Sequence, residues 1–75
     1  MVTTFTVKFS EHLRPDEVSN LKGILGFHGI GRTESSGLYK LEMHRKSRME
    51  RATATLRHWD RLGWLQWSAE QAISN

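Results

Sequence analysis

The chain has 75 residues, a formal net charge of +3 at pH 7 and a pI near 9.8. A chain of this length forms one small domain, which buries only about 60% of the surface that the unfolded chain exposes. The absence of cysteine excludes a disulfide framework, cysteine-ligated metal sites and thiol nucleophiles. No apolar run approaches the roughly 20 residues of a membrane-spanning helix. We therefore expect no membrane partner, and the modest basic charge favours an acidic one.

The first half of the chain predicts a strand, a helix and a short second strand. Residues 4–10 alternate between polar and apolar side chains, which is typical of a half-buried strand. Pro15 suits the first position of a helix, and Gly26 is a natural C-terminal stop for it. Residues 27–33 are rich in glycine, so only a short strand around Ile30 is expected there.

The second half predicts two further strands with a helix between them. Residues 38–44 alternate cleanly and form the second clear strand. The apolar period then becomes that of a helix, which we place over residues 48–62, and residues 64–69 form the last strand. The tail at 71–75 is expected to be frayed. The order βαββαβ predicts one α+β domain over residues 1–75, with the ferredoxin-like arrangement of an antiparallel sheet and two helices on one face.

A dense run of cations connects the predicted third strand to the second helix. It begins at His44 and continues with Arg45, Lys46, Arg48 and Arg51. Connections of this kind are exposed to solvent and often carry function. The run can bind an anion or serve as a substrate for an acidic partner. The alternative is a solvated basic start to a helix.

The remaining reactive side chains form no recognisable catalytic or metal-binding pattern. The four histidines, at positions 12, 28, 44 and 58, lie in different predicted elements, and no pair has the spacing of a helix-borne metal site. No nucleophile elbow is present, and the Gly-x-Gly at 29–31 lacks the strand–loop–helix context of a phosphate-binding loop. We therefore expect a chain without enzymatic activity, bound metal or cofactor.

RNA binding is one candidate function, because RNA-recognition domains share the predicted topology. Those domains stack bases on aromatic side chains of the sheet. Here the third strand, residues 38–44, has one aromatic residue and an acid, which does not fit the expected basic-Gly-aromatic pattern. Because of this mismatch, a small basic module that binds RNA or another acidic partner is kept only as the alternative function.

Two tryptophans near the end of the chain predict an interaction surface. Trp64 and Trp67 point to opposite faces of the predicted last strand, so one fills the core and the other lies on the open face of the sheet. Exposed aromatic side chains commonly anchor interfaces. The alternative is that both tryptophans cover the edges of the core.

Four short segments carry a resemblance to a known family. Residues 5–9 read Phe-Thr-Val-Lys-Phe, and residues 26–32 read Gly-Phe-His-Gly-Ile-Gly-Arg. The third strand, 38–44, ends in histidine, and residues 65–71 read Leu-Gln-Trp-Ser-Ala-Glu-Gln. In this order over residues 5–71, the segments resemble the prodomain of the kexin/furin-type proprotein convertases, whose fold is shared by subtilisin propeptides.

The resemblance implies an intramolecular chaperone and inhibitor of a subtilisin-like serine protease in the secretory pathway, at the Golgi. The sheet packs on the protease, through a face that we assign to Tyr39, Trp64 and Trp67. Prodomains of this family end in a multibasic site that occupies the active cleft of the protease. Residues 71–75 contain no basic residue, so we expect weak inhibition.

The resemblance also implies an internal cleavage site in the basic run, where a second cut releases the bound prodomain. Residues 45–48 have the Arg-x-x-Arg form that such proteases cut, and Arg51 offers a second register. The acidic protease cleft of the family suits a cationic substrate. The predicted cleavage loop therefore contains Arg45, Lys46, Ser47, Arg48 and Arg51.

His44 acquires a role as pH sensor from the same resemblance, because the sensor histidine of the family ends this strand. Histidine titrates at about pH 6.5 when unperturbed. If His44 is neutral and packed against apolar neighbours, acidification loosens the loop and presents Arg48 to the protease. The alternative is a histidine that is already exposed at the end of the strand.

Overall fold

The structure is a computed structural model that describes residues 2–72, with the side chains of residues 2–70. Its strands are β1 (Val2–Phe9), β2 (Ile30–Thr33), β3 (Tyr39–Met43) and β4 (Leu65–Ala72), and its helices are α1 (Pro15–Gly26) and α2 (Lys46–Arg61). All neighbouring strands are antiparallel, in the order β2-β3-β1-β4. The predicted ferredoxin-like α+β fold, with the element order β-α-β-β-α-β, is therefore confirmed.

Three predicted boundaries differ from the structure by two residues or more: β1 begins at Val2 instead of residue 4, and the other two lie in polar segments. α2 begins at Lys46, two residues before its predicted start. The prediction is late because these two residues precede the apolar period that marks the helix in the sequence. β4 continues to Ala72, where the sequence predicts a frayed tail, because pairing with Val2 of β1 extends the ladder. Residues 73–75 of that predicted tail lie outside the described residues.

One face of the sheet packs against both helices and forms the hydrophobic core. Phe5 of β1 is buried opposite Leu41 of β3, its partner across the ladder. The helices contribute Leu21 and Leu25 from α1, and Ala52, Leu56 and Trp59 from α2. Burial of one large apolar side chain stabilises a fold by about 1.5–3 kcal/mol, so this core supplies much of the favourable free energy of folding.

The opposite face of the sheet is covered by no element in the described part of the chain. Side chains alternate along each strand and paired residues share a face, which assigns the members of this uncovered face. They are Val2, Thr4, Thr6, Lys8, Ile30, Arg32, Lys40, Glu42, Gln66, Ser68 and Glu70. The uncovered face is mostly polar, with charges of both signs, and the Lys40 Nζ donates a hydrogen bond of 2.8 Å to the Thr6 Oγ1.

Two glycines allow the segment around β2 to pack tightly against β3. A Cβ atom at Gly29 would overlap the backbone carbonyl oxygen of Glu42, and a Cβ atom at Gly31 would overlap the hydroxyl of Tyr39. By contrast, Gly23 in α1 has open space where a Cβ atom would lie. The entry to β2 therefore lies close to β3 because Gly29 has no side chain.

We predict opposite effects on stability for the same chemical change at two glycines. Gly29→Ala is expected to lower the free energy of unfolding by about 1–3 kcal/mol, because backbone atoms must shift to admit the methyl group. Gly23→Ala is expected to raise it by about 1 kcal/mol, because alanine is the better helix former. Urea unfolding followed by tryptophan fluorescence measures both changes. Equal effects of the two substitutions would contradict the packing around Gly29.

Tyr39 is buried on the core side of β3. The Tyr39 ring packs beside the ring of Phe9, at 6.1 Å between the two centroids. The Nζ of Lys22 lies 5.6 Å from the centroid of the Tyr39 ring. Burial removes the hydroxyl from water and raises the pKa of Tyr39 above its ordinary value of about 10. Folding therefore favours the neutral phenol, whose contribution to stability is complete below about pH 10 and is lost as the pH rises through the raised pKa.

A spectroscopic titration tests this burial, because Tyr39 is the only tyrosine in the chain. The tyrosinate absorbance of the folded protein is expected to have a higher midpoint pH than that of the protein unfolded in urea. Tyr39→Phe is expected to leave stability at neutral pH little changed and to remove part of its alkaline loss. Identical midpoints in the folded and unfolded states would show that the hydroxyl is not desolvated.

Candidate functional site

The basic run packs against the connection between α1 and β2. The Nη1 of Arg48 donates a hydrogen bond to the backbone carbonyl oxygen of Phe27. This contact joins two distant segments of the chain, and a pocket of about 470 Å³ lies beside it. This cationic pocket is lined by Phe27, His28, Arg45, Ser47, Arg48 and Arg51.

A second pocket, of about 390 Å³, adjoins the cationic pocket and extends it to Ile30 and His44. The side chains of Phe27 and Ile30 are 73% and 64% exposed, so they form an apolar ledge beside the cations. Phe27 follows the last residue of α1, and Ile30 is the first residue of β2 on the uncovered face. The site therefore combines positive charge with exposed apolar surface.

The cationic pocket has no neutralising partner in the part of the chain that the structure describes. No acidic residue lines it, and none of its three arginines forms an ion pair with another residue in that part. Arg48 uses one donor on the Phe27 carbonyl, and a guanidinium group has five N–H donors in all. The pocket is therefore a region of positive charge with free hydrogen-bond donors.

The start of α2 is poorly stabilised by its own sequence. Arg45 occupies the N-cap position and makes no side-chain capping bond, and the first turn contains no acidic residue. Lys46 and Arg48 instead place positive charge at the positive end of the helix dipole. The first turn of α2 therefore gains no stability from a side-chain cap or from charges that complement the helix dipole.

The predicted cleavage loop has fewer non-helical residues than the sequence indicates. Only His44 and Arg45 connect β3 to α2. Lys46 and Ser47 lie before the predicted start of the helix, but they are helical together with Arg48 and Arg51. The sequence hides this because polar and charged residues without apolar period fit a loop as well as a helix start. Cleavage after Arg48 therefore requires the first turn of α2 to unfold, since proteolysis favours exposed and flexible segments.

His44 is exposed at the end of β3, which is the stated alternative to packing against apolar neighbours. Its side chain is 49% exposed, and its Nε2 lies 3.5 Å from the Oε2 of Glu42. Tyr39, Leu41 and Met43 take the core side of β3, so alternation turns His44 toward the same side as Glu42. A protonated His44 would form an ion pair there.

The three aromatic residues assigned to the protease-binding face do not lie on the uncovered face. Tyr39 and Trp67 both pair with Val7, a core residue, so both face the helices. Trp67 packs edge-on against Phe5, with 5.7 Å between ring centroids. Trp64 is 38% exposed, but it precedes β4 and lines a small pocket with residues of α1.

Phe27 and His28 are site residues that the sequence analysis did not assign. The only local indication is an apolar residue directly after the helix stop at Gly26, in a glycine-rich segment that offers no element to bury it. Their neighbours across the pocket, Arg45 and Arg48, lie far away in sequence, so no short motif joins them.

Neither helix among the described residues is long and apolar enough to cross a bilayer. Within residues 2–72, histidines and acidic residues form no group of three that could hold a metal ion. Comparison of the chain with protein-family models, with curated proteins and with solved structures finds no match in any of the three.

A substitution at the N-cap tests the weakness of the first turn of α2. Arg45→Asp supplies a capping oxygen and a favourable charge, so it is expected to raise the free energy of unfolding by about 1 kcal/mol. Arg57→Asp, the same change near the other end of the helix, is expected to lower stability slightly, because it opposes the dipole. Urea unfolding measures both variants, and a destabilised Arg45→Asp protein would contradict this account.

Proposed function

We propose that the chain is a prodomain that assists the folding of a subtilisin-like serine protease and then inhibits it. The observation that carries this proposal is the uncovered face, which leaves one side of a four-stranded sheet free for a partner. Three of the segments that resemble convertase prodomains coincide with β1, β3 and β4, the strands that supply most of this face. The resemblance and the free surface therefore concern the same part of the molecule.

Small polar side chains occupy the middle of the uncovered face. Thr4 and Thr6 lie on β1, and Ser68 is the partner of Thr6 on β4. Their size allows a partner to approach the sheet closely, while Lys40 and Glu42 offer charges of both signs that orient it. A mixed polar surface suits a partner that is released later, since permanent interfaces are typically more hydrophobic.

A cut after Arg48 would end the inhibition by dividing the core between two fragments. The first fragment would keep β1 to β3, and the second would carry most of α2 together with β4. Leu56 and Leu65, both buried, would leave with the second fragment, and β1 would lose a neighbour on one side. The cut fold would therefore lose most of its cooperativity and release the protease.

Acidification supplies the trigger for this cut in our proposal. Protonation of His28 would add positive charge beside Arg45 and Arg48 in the cationic pocket. His44 does the same in the adjoining pocket, but Glu42 lies 3.5 Å away and offsets its charge. Repulsion then loosens the uncapped first turn of α2, with His28 as the stronger of the two sensors.

Inhibition of an active furin-type protease is the experiment that tests the proposed function. The chain is expected to inhibit cleavage of a fluorogenic peptide with an inhibition constant of about 1 μM, and to raise the yield of active protease on refolding. Ser68→Arg places a bulky charge in the middle of the uncovered face and is expected to weaken inhibition about tenfold or more. Ser19→Arg, on the exposed side of α1, is the matched control and is expected to have little effect. Absence of inhibition, or equal loss in the two variants, would contradict the proposal.

The same incubation tests the trigger when its products are identified by mass spectrometry. It is run about one pH unit above and one below the ordinary histidine midpoint of about 6.5. A cut after Arg48 is expected mainly at the lower pH, and His28→Gln is expected to slow it more than His44→Gln does. Arg48→Gln is expected to abolish this cut, so the fragments that disappear in this variant are assigned to cleavage after Arg48. A cut that is equally fast at both pH values would exclude acid gating.

The alternative function, a small basic module for an acidic partner, is favoured by the cationic pocket alone. Base stacking on the sheet lacks support, because the uncovered face contains no phenylalanine, tyrosine or tryptophan. A salt-dependent titration with single-stranded RNA tests this alternative, since phosphate contacts give an affinity that falls steeply with salt.

A further inference from the structure

In the proposed cleavage, the folded cationic pocket contributes only repulsion among its positive charges, and no ligand is assigned to it. Recognition of an Arg-x-x-Arg substrate involves Arg45 and Arg48 only after the helix start has unfolded. In the folded chain these two arginines share the pocket with Arg51, His28 and Ser47. We propose that the folded pocket binds a phosphate-type oxyanion, a group with several negative charges and tetrahedral oxygens.

The geometry of the arginines suits such a group. Arg45, Arg48 and Arg51 recur every three residues and line the same pocket, while His28 forms part of its other wall, in the α1–β2 connection. A guanidinium group presents planar N–H donors that match phosphate oxygens in bidentate contacts. The bond from Arg48 to the Phe27 carbonyl restrains one arginine in advance, which lowers the entropic cost of binding.

The charge balance favours a multivalent anion over a single carboxylate. Three guanidinium groups that share one pocket repel one another, and no acidic residue in the described range relieves that repulsion at the pocket. A phosphate monoester carries about −1.5 to −2 charges at neutral pH and three acceptor oxygens, so it can contact several arginines at once. Bound in this way, it would also screen Arg48 and hold the first turn of α2 in place.

Calorimetric titration with sodium pyrophosphate at pH 7.5 and constant ionic strength tests the proposal. It does not depend on the subtilisin-like protease of the proposed function. Arg51→Gln is expected to weaken binding about tenfold, because it removes one guanidinium and leaves the Arg48–Phe27 bond intact. Arg57→Gln, on the same helix but outside the pocket, is the matched control and is expected to leave binding nearly unchanged. Trypsin cleavage after Arg48 is expected to slow when pyrophosphate is present.

The source of the phosphate is distinguished by a second arm with phosphatidylcholine vesicles, prepared with and without phosphatidic acid. Binding of pyrophosphate with the expected variant pattern supports a soluble phosphate ligand. Sedimentation with phosphatidic-acid vesicles alone, lost in Arg51→Gln, supports the same pocket with a lipid headgroup as its ligand. Absence of binding in both arms, or equal loss in Arg51→Gln and Arg57→Gln, would overturn the proposal, since general electrostatic attraction would then suffice.

Discussion

The rest of the fold depends on the register of β1. This strand lies inside the sheet and pairs with β3 on one side and with β4, over its whole length, on the other. Its alternating side chains supply Phe5 and Val7 to the core and Thr4 and Thr6 to the uncovered face. Because paired residues share a face, β1 decides which side chains of both neighbours are buried and which remain available to a partner.

The elements that the sequence predicts well are those with a local physical cause. β1 and β3 each have one buried and one solvated side, so their alternation is visible without a structure. The bounds of α1 follow from Pro15 and Gly26, because proline favours the first position of a helix and glycine favours its end. The start of α2 has no such cause, since it lacks a cap and an acidic first turn, and this is where the predicted boundary is wrong.

The parts of the site that the sequence could not place depend on contacts across the fold. Tyr39 and Trp67 look available for an interface, but both are opposite Val7, and only the register of β1 shows this. Phe27 and His28 become part of a site because the entry to β2 packs closely against β3 and Arg48 bonds to the Phe27 carbonyl. The basic residues themselves are evident in the sequence, whereas the helical state of Lys46 and Ser47 and the opposite wall of the pocket are not.

The pairing of Val2 with Ala72 brings the two ends of the described chain side by side. The ladder between β1 and β4 thus closes the longest loop in the fold, and contacts of large sequence separation form slowly. A circular permutant that links these ends and opens the exposed turn near Ser36 would make the same ladder a local contact. The native chain must therefore close its longest loop to form this ladder, whereas the permutant would form the same pairs across a short connection.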